Sequence, residues 1–368
     1  MNGLLEDVTY TFRTLRRAAF AVIVMLTLAQ LAPAQEATEA LIHSGHWKQV
    51  RAIAQKLAQD KPNDAYTFFL QAEVRQAFGD DDGAMPEAEK AVALDGKNAN
   101  YHLCLAEIYG DMARHAGFFK QVSLGRSFKK EIDEAVALDP RNLDAKFDLM
   151  QFYLDAPGII GGGRDKAYAE ADEIAKISSP KGFVAQAQIA NHQKDSAKAQ
   201  DFYEKAVQAD PNGAQAANAL AAIYASDSQK RYGDAERLCL QAIKSSPDQI
   251  AAYSQLAIIY GTQQKWAELD GILADARKSD PDDAGATYQA GRTLLLKGVE
   301  FPRAEQYFRE YLKQEPEAGE PPLSSAHWRL ANVLEKENRK PEAINELQKA
   351  LKLQPNFPEA KKDLKRLQ

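Results

Sequence analysis

Apolar and small residues recur along this chain at helical spacing, in blocks that each close on a helix-breaking residue. The blocks "AKAQDFYEKAVQADPN" at 197–212, "GDAERLCLQAIKSSPD" at 233–248, "AELDGILADARKSDPD" at 267–282 and "PEAINELQKALKLQPN" at 341–356 each predict a helix ended by Pro. Ahead of such a helix lies another apolar block, such as "NALAAIYA" at 218–225 or "SQLAIIYG" at 254–261. The terminators Pro62, Gly96, Pro140, Pro180, Pro211, Pro247, Pro281, Pro316 and Pro355 set a repeat of helix pairs. Two intervals, 96–140 and 140–180, are longer and predict insertions at 111–127 and 156–164. Runs of Val, Ile and Thr that would mark strands are scarce after the N-terminus, so the fold class is all-α.

The terminator spacing is near the about 34 residues of a tetratricopeptide repeat, and the residues between the terminators resemble that family. In the first helix of a pair a small residue precedes Tyr by three: Ala106/Tyr109, Ala221/Tyr224 and Ala257/Tyr260. In the second, small, bulky and small residues alternate: Ala199/Tyr203/Ala206, Ala235/Cys239/Ala242, Ala304/Phe308/Tyr311 and Ala343/Leu347/Ala350. Small residues on one face let paired helices approach while the bulky one fills the gap. Arg75 stands where Tyr is expected, Leu269 replaces a small residue and Gly96 replaces Pro. The resemblance implies a right-handed α-solenoid of about nine helix-turn-helix repeats over 35–316 and 324–356, a Pro-rich break at 317–323, and a C-terminal capping helix at 357–368. That cap would bury Phe357, Ala360, Leu364 and Leu367.

The first residues differ in kind. Arg13, Arg16 and Arg17 precede the apolar run "AAFAVIVMLTLAQL" and Ala32-Pro33-Ala34, which predicts a signal peptide over 1–34, or an uncleaved membrane anchor. No Cys lies near the cut, which excludes a lipoprotein anchor. The leader "MNGLLEDVTYTFRTLRR" also resembles the start of macrolide-exporter-type ABC permeases, but "QLAPAQEA" departs from a continuing span, and no function is carried over. Export to a bacterial periplasm, or anchoring in the inner membrane, is the resulting expectation.

The 46 Lys and Arg against 52 Asp and Glu are interspersed, so no electropositive stripe is offered to nucleic acid. Gly158 and Gly163 in "APGIIGGGRDKAY" have phosphate-loop spacing, yet a helix precedes them, Arg164 replaces Lys and Asp165 replaces the hydroxyl residue. The loop therefore predicts a wide turn with helix B starting near Arg164; amides at Gly161–Gly163 are the one feature a partner's carboxylate could use. His43 and His46 straddle the turn Ser44-Gly45, and consecutive Asp80, Asp81 and Asp82 do not alternate as a calcium loop does, so both are read as turns, with no metal. Cys104 and Cys239 lie three repeats apart and predict buried thiols. No catalytic constellation or cofactor motif is present, which points away from an enzyme.

In the family, helix A of each repeat lines a concave groove. The resemblance places there Phe69 and Glu73; Glu107; Phe147 and Gln151; Gln188 and Asn191; Gln215 and Asn218; Tyr288 and Arg292; and Trp328. The amides at 151, 188, 191, 215 and 218 can pair both N–H and C=O of an extended peptide, and the aromatics offer apolar area on either side. The family's charged clamp for chaperone tails is not reproduced. The implied function is a non-enzymatic protein-interaction scaffold of the cell envelope with a protein or peptide partner. The alternative is a membrane-anchored accessory subunit of an envelope transport or assembly complex.

Overall fold

In a computed structural model, which describes residues 35–248 and 250–368, the regular elements are all helical. They form nine antiparallel pairs in chain order: α1 (35–44) with α2 (Trp47–Asp60), α3 (Ala65–Ala77) with α4 (Asp81–Leu94), α5 (Ala99–Arg114) with α6 (Phe118–Leu138), α7 (Leu143–Asp155) with α8 (Arg164–Ile177), and α9 (Ser179–His192) with α10 (Ser196–Ala209). The series continues through α11 (Ala214–Ala225) and α12 (Tyr232–Ser245), α13 (Ile250–Gln263) and α14 (Trp266–Ser279), α15 (Gly285–Lys297) and α16 (Phe301–Tyr311), and α17 (Leu323–Lys336) and α18 (Lys340–Leu353). A last helix, α19 (Pro358–Leu367), covers the open end with Phe357, Ala360 and Leu367 buried. The leader expected at 1–34 lies outside the described residues.

The small residues act as the sequence predicts. Ala106, Ala199, Ala221, Ala235, Ala257, Ala304 and Ala343 are all at 0% exposure, and the bulky Tyr203, Cys239, Phe308 and Leu347 fill the gaps beside them. Each A-helix Tyr also ties its repeat to the previous one. Tyr109, Tyr224 and Tyr260 donate their hydroxyls to Glu89, Glu204 and Glu236 of the preceding B helix, at 3.2, 2.9 and 3.0 Å. Leu269, standing in for a small residue, is fully buried without breaking the stack. Arg75, in the Tyr position, instead bridges Asp80 at 2.7 Å, and Asp80 caps α4 by accepting from the Gly83 amide.

One continuous apolar cluster runs from Val184 on α9 to Leu367, whereas towards the N-terminus the core is divided into three smaller ones, the last of which ends on Ala185 and Ile189 of the same α9. The two long intervals lie in the divided part. The first lengthens helices instead of adding a loop: α5 runs 16 residues and α6 runs 21. The second is the glycine-rich turn after α7, which holds one short 3-10 turn at Gly158–Ile160. They pack on each other, because the Ile160 side chain lies against Gly125 of α6 so closely that a Cβ there would collide with it.

The first hairpin also reaches loops in the distant half of the stack. The α1–α2 turn reaches the B-to-A loops of distant repeats: Ser44 donates to Asp248 at 3.0 Å, His46 Nδ1 bonds Asp280 at 2.8 Å, and the Lys48 amide donates to Glu317 at 2.8 Å. Arg51 pairs with both oxygens of Glu315 at 3.0 and 2.7 Å. These contacts span 204 to 269 positions of sequence. The solenoid is thus fastened along one rim, and the Pro-rich break is held in place from across the molecule.

Candidate functional site: the concave face and its cavity

The groove positions fall into three groups. Phe69 and Tyr288 do not line an open surface: Phe69 is 6% exposed and packs 5.1 Å from the Tyr101 ring, and Tyr288 is 4% exposed between Phe308 and Tyr311. This corrects the sequence expectation, because aromatic stacking between neighbouring helices draws both rings into the core. Trp328 is half-buried, its indole N–H donating to Asp363 of α19 at 2.8 Å while its ring meets Phe357 edge-on, so it fastens the cap.

The amides form the second group, and most are engaged locally. Gln151 donates to Asp155 at 2.6 Å, Asn191 to the Tyr203 hydroxyl at 3.3 Å, and Gln215 accepts from Lys181 at 2.8 Å. The Asn218 side-chain oxygen is enclosed without a hydrogen-bond partner. Phe147 and Arg292 are half-buried, Phe147 packing on the two core clusters that flank it.

Glu73 and Glu107, at equivalent positions of consecutive repeats, make up the third group with Asp148 of α7. Burial pushes Glu73 up to about 7, opposed by the neighbouring Cys104 thiol and by His43. Burial also raises Glu107 well above the usual carboxyl range, with the neighbouring Glu73 and Asp148 adding to it. Asp148 rises to about 6, again mainly through burial, with Glu107 within hydrogen-bond reach. Glu107 and Asp148 open into a cavity of about 540 Å³ walled by α5, α6, α7 and the glycine-rich turn. Phe128 and Phe152, stacked 5.2 Å apart, form part of its apolar lining with Val122 and Ile160. Sequence reasoning missed Asp148 and the α6 residues, because repeat positions fixed on regular units do not show where a lengthened helix will lie. The usable signal was the pair of carboxyls at 73 and 107, one repeat apart on a face otherwise apolar or amide-lined.

The three consecutive glycine amides of the turn are already engaged. The amides of Gly161, Gly162 and Gly163 donate to Gly158, Pro157 and Tyr153 carbonyls at 3.1, 3.3 and 2.8 Å. The expectation that they could receive a carboxylate is therefore corrected. His43 and His46 diverge to Glu39 and Asp280, and Cys104 and Cys239 are separate buried thiols. Among the described residues no helix is long and apolar enough to cross a membrane.

Comparison with known proteins agrees with the repeat geometry. A family model described as regulator of microtubule dynamics protein 1-3 matches residues 46–149, and two tetratricopeptide-repeat models match 181–212 and 324–357. Regulator of microtubule dynamics protein 3 of Bos taurus is 39% identical over 61 residues, 17% of this chain and 13% of that protein. The Mus musculus protein is 38% identical over 56 residues, 15% and 12% of the two chains. The match thus spans only about an eighth of those relatives' length. Among solved structures, yeast Tom70 is similar at a TM-score of 0.47 and 15% identity, over 90% of this chain and 79% of that one. A thermophilic repeat protein of Thermus thermophilus is similar at 0.45 and 17%, over 51% and 96%. The two matched units are tetratricopeptide repeats, and the regular helix pairs with their small-residue packing make the described residues an all-α solenoid of the same architecture.

Proposed function

We propose that the chain is a non-catalytic protein-interaction scaffold that holds an extended segment of a partner protein along its concave face. The observation that carries this reading is the amide-rich middle on consecutive A helices, where Gln188 is half-buried and has no side-chain hydrogen bond among the described residues, so that both its N–H and its C=O are free for a peptide backbone. Gln215 accepts from Lys181 at an exposed site and can exchange that bond for a peptide backbone at small net cost. Crosslinking and capture should test it: changing Gln188, Asn191, Gln215 and Asn218 together to Ala is expected to lose the partners that the native chain retains. Identical partners in both samples would remove the groove from consideration.

The setting follows from the leader. Arg16 and Arg17 before an apolar run and Ala32-Pro33-Ala34 support export to the cell envelope, with a mature start at Gln35. Retention of the apolar run would instead make the scaffold a membrane-anchored accessory subunit of an envelope transport or assembly complex. The intact mass of the exported protein separates the two.

A further inference from the structure

We propose that the cavity between α5, α6, α7 and the glycine-rich turn selects peptides in which a Lys or Arg lies beside an apolar residue. This rests on the groove reading and names the chemistry of one end of that groove. The cavity, about 540 Å³, is within the range of about 300–1,000 Å³ usual for ligand pockets. Its lining has four acids and one base, and two of the acids, raised by burial, ionise fully only against an incoming cation. Asp111 is already paired with Arg114 and accepts from Gln76 at 2.9 Å, and Asp155 accepts from Gln151 and lies 3.2 Å from His192. Glu107 and Asp148, by contrast, have no Lys, Arg or His within 4.0 Å among the described residues, although both face the cavity. Two adjacent carboxyls match the two-pronged donor geometry of a guanidinium, or a single ammonium bridging both.

The apolar half of the recognition is equally placed. Phe118 at the cavity mouth is 68% exposed, and beside it Phe119 is 88% exposed, an edge-on pair with 5.6 Å between ring centroids. Ile159, on the opposite lip next to the lining residue Ile160, is 79% exposed. Large apolar side chains this open on both lips of one pocket are the kind of surface that a partner covers. The two lips come from the two irregular intervals of the chain, and they are brought together by the contact of Ile160 with Gly125. An anionic ligand is disfavoured, since Arg114 is the single basic side chain of the lining and it is held by Asp111.

Panning a random peptide library on the full chain is the test. Enriched peptides should carry Lys or Arg next to Leu, Ile, Phe or Trp, and a resynthesised peptide should lose about tenfold or more in affinity when its basic residue becomes Gln. In the Glu107→Gln/Asp148→Asn protein, whose melting curve confirms folding, that preference should vanish. Phe118→Ser should weaken every such peptide severalfold while keeping the preference for the basic residue. Peptides enriched without a basic residue, or a preference that survives in the double variant, would overturn the proposal. If such peptides still depend on Gln188, Asn191, Gln215 and Asn218, the groove reading stands alone. If the library enriches nothing and the fourfold alanine variant captures unchanged partners, both fail.

Discussion

Glu107 and Asp148 are costly where they stand. Around them lie Glu73 on α3, Asp111 and Arg114 on α5, and Asp144 and Asp155 on α7, with His43 at the end of α1; Phe118 and Phe128 of α6 add no charge. Their carboxyls are raised by burial, so the native chain holds protons that the unfolded chain releases, and stability falls as pH climbs from the ordinary carboxyl range towards about 6 for Asp148 and beyond for Glu107. Glu107→Gln/Asp148→Asn is expected to be more stable than the native chain, with the margin wider at pH 8 than at pH 5 by roughly 2 kcal/mol. Denaturant unfolding at both pH values measures it, and a margin that narrows as pH rises would show that the pair does not hold buried protons. A second residue-scale contrast lies in the turn. A Cβ on Gly162 would overlap the Ala156 carbonyl, while one on Gly158 meets nothing within 4 Å. Gly162→Ala should cost about 1–3 kcal/mol and Gly158→Ala well under 1.

Single elements were the most legible part of this protein. The alanine and tyrosine spacings that predict close-packed helix pairs depend only on neighbours within a turn or two, and residues such as Ala221 and Ala257 are buried as that spacing requires. The capping helix was legible for the same reason, since its apolar face is periodic. What a helix does when lengthened was not: the interval at 111–127 reads as an insertion, yet most of it extends α5 and α6 and builds one wall of the cavity. Groove positions transferred by register also failed at Phe69 and Tyr288, where stacking outweighs exposure. For α19 the test is Trp328, which joins the last repeat to the cap through both ring packing and the bond to Asp363. Trp328→Phe keeps the ring and should cost about 1 kcal/mol, while Trp328→Ala should cost roughly 3. Hydrogen exchange should then quicken across 358–367 in the Ala variant first; uniform exchange along the chain would show that the cap is not held there.

At the scale of the whole molecule, repeats touch only their neighbours, and a solenoid gains little from its own far end. The seam from the α1–α2 hairpin to the loops at 280–282 and 315–317 is the largest departure from that rule among the described residues, beside the single contacts His43–Asp144 and Lys297–Asp227, and no local pattern announces it, because its partners are over 200 positions apart. Its centre is the His46–Asp280 pair, with side chains 9% and 3% exposed. Removing one member of a buried pair leaves the other enclosed without its partner, which costs about 3–5 kcal/mol when the site cannot relax. Here it can relax, since the hairpin can swing away and return Asp280 to water while every helix pair keeps its neighbours. His46→Ala combined with Arg51→Ala should therefore open the ring without unfolding it. Small-angle scattering should show a larger radius of gyration, the helical circular dichroism signal should stay within error of the native chain, and exchange should quicken at 280–283 and 47–60. Peptides selected for the concave face should associate faster with the opened form, because one rim of their path is no longer fastened. An unchanged radius in the double variant would mean that the curvature of the repeats closes the molecule by itself and the seam merely decorates it.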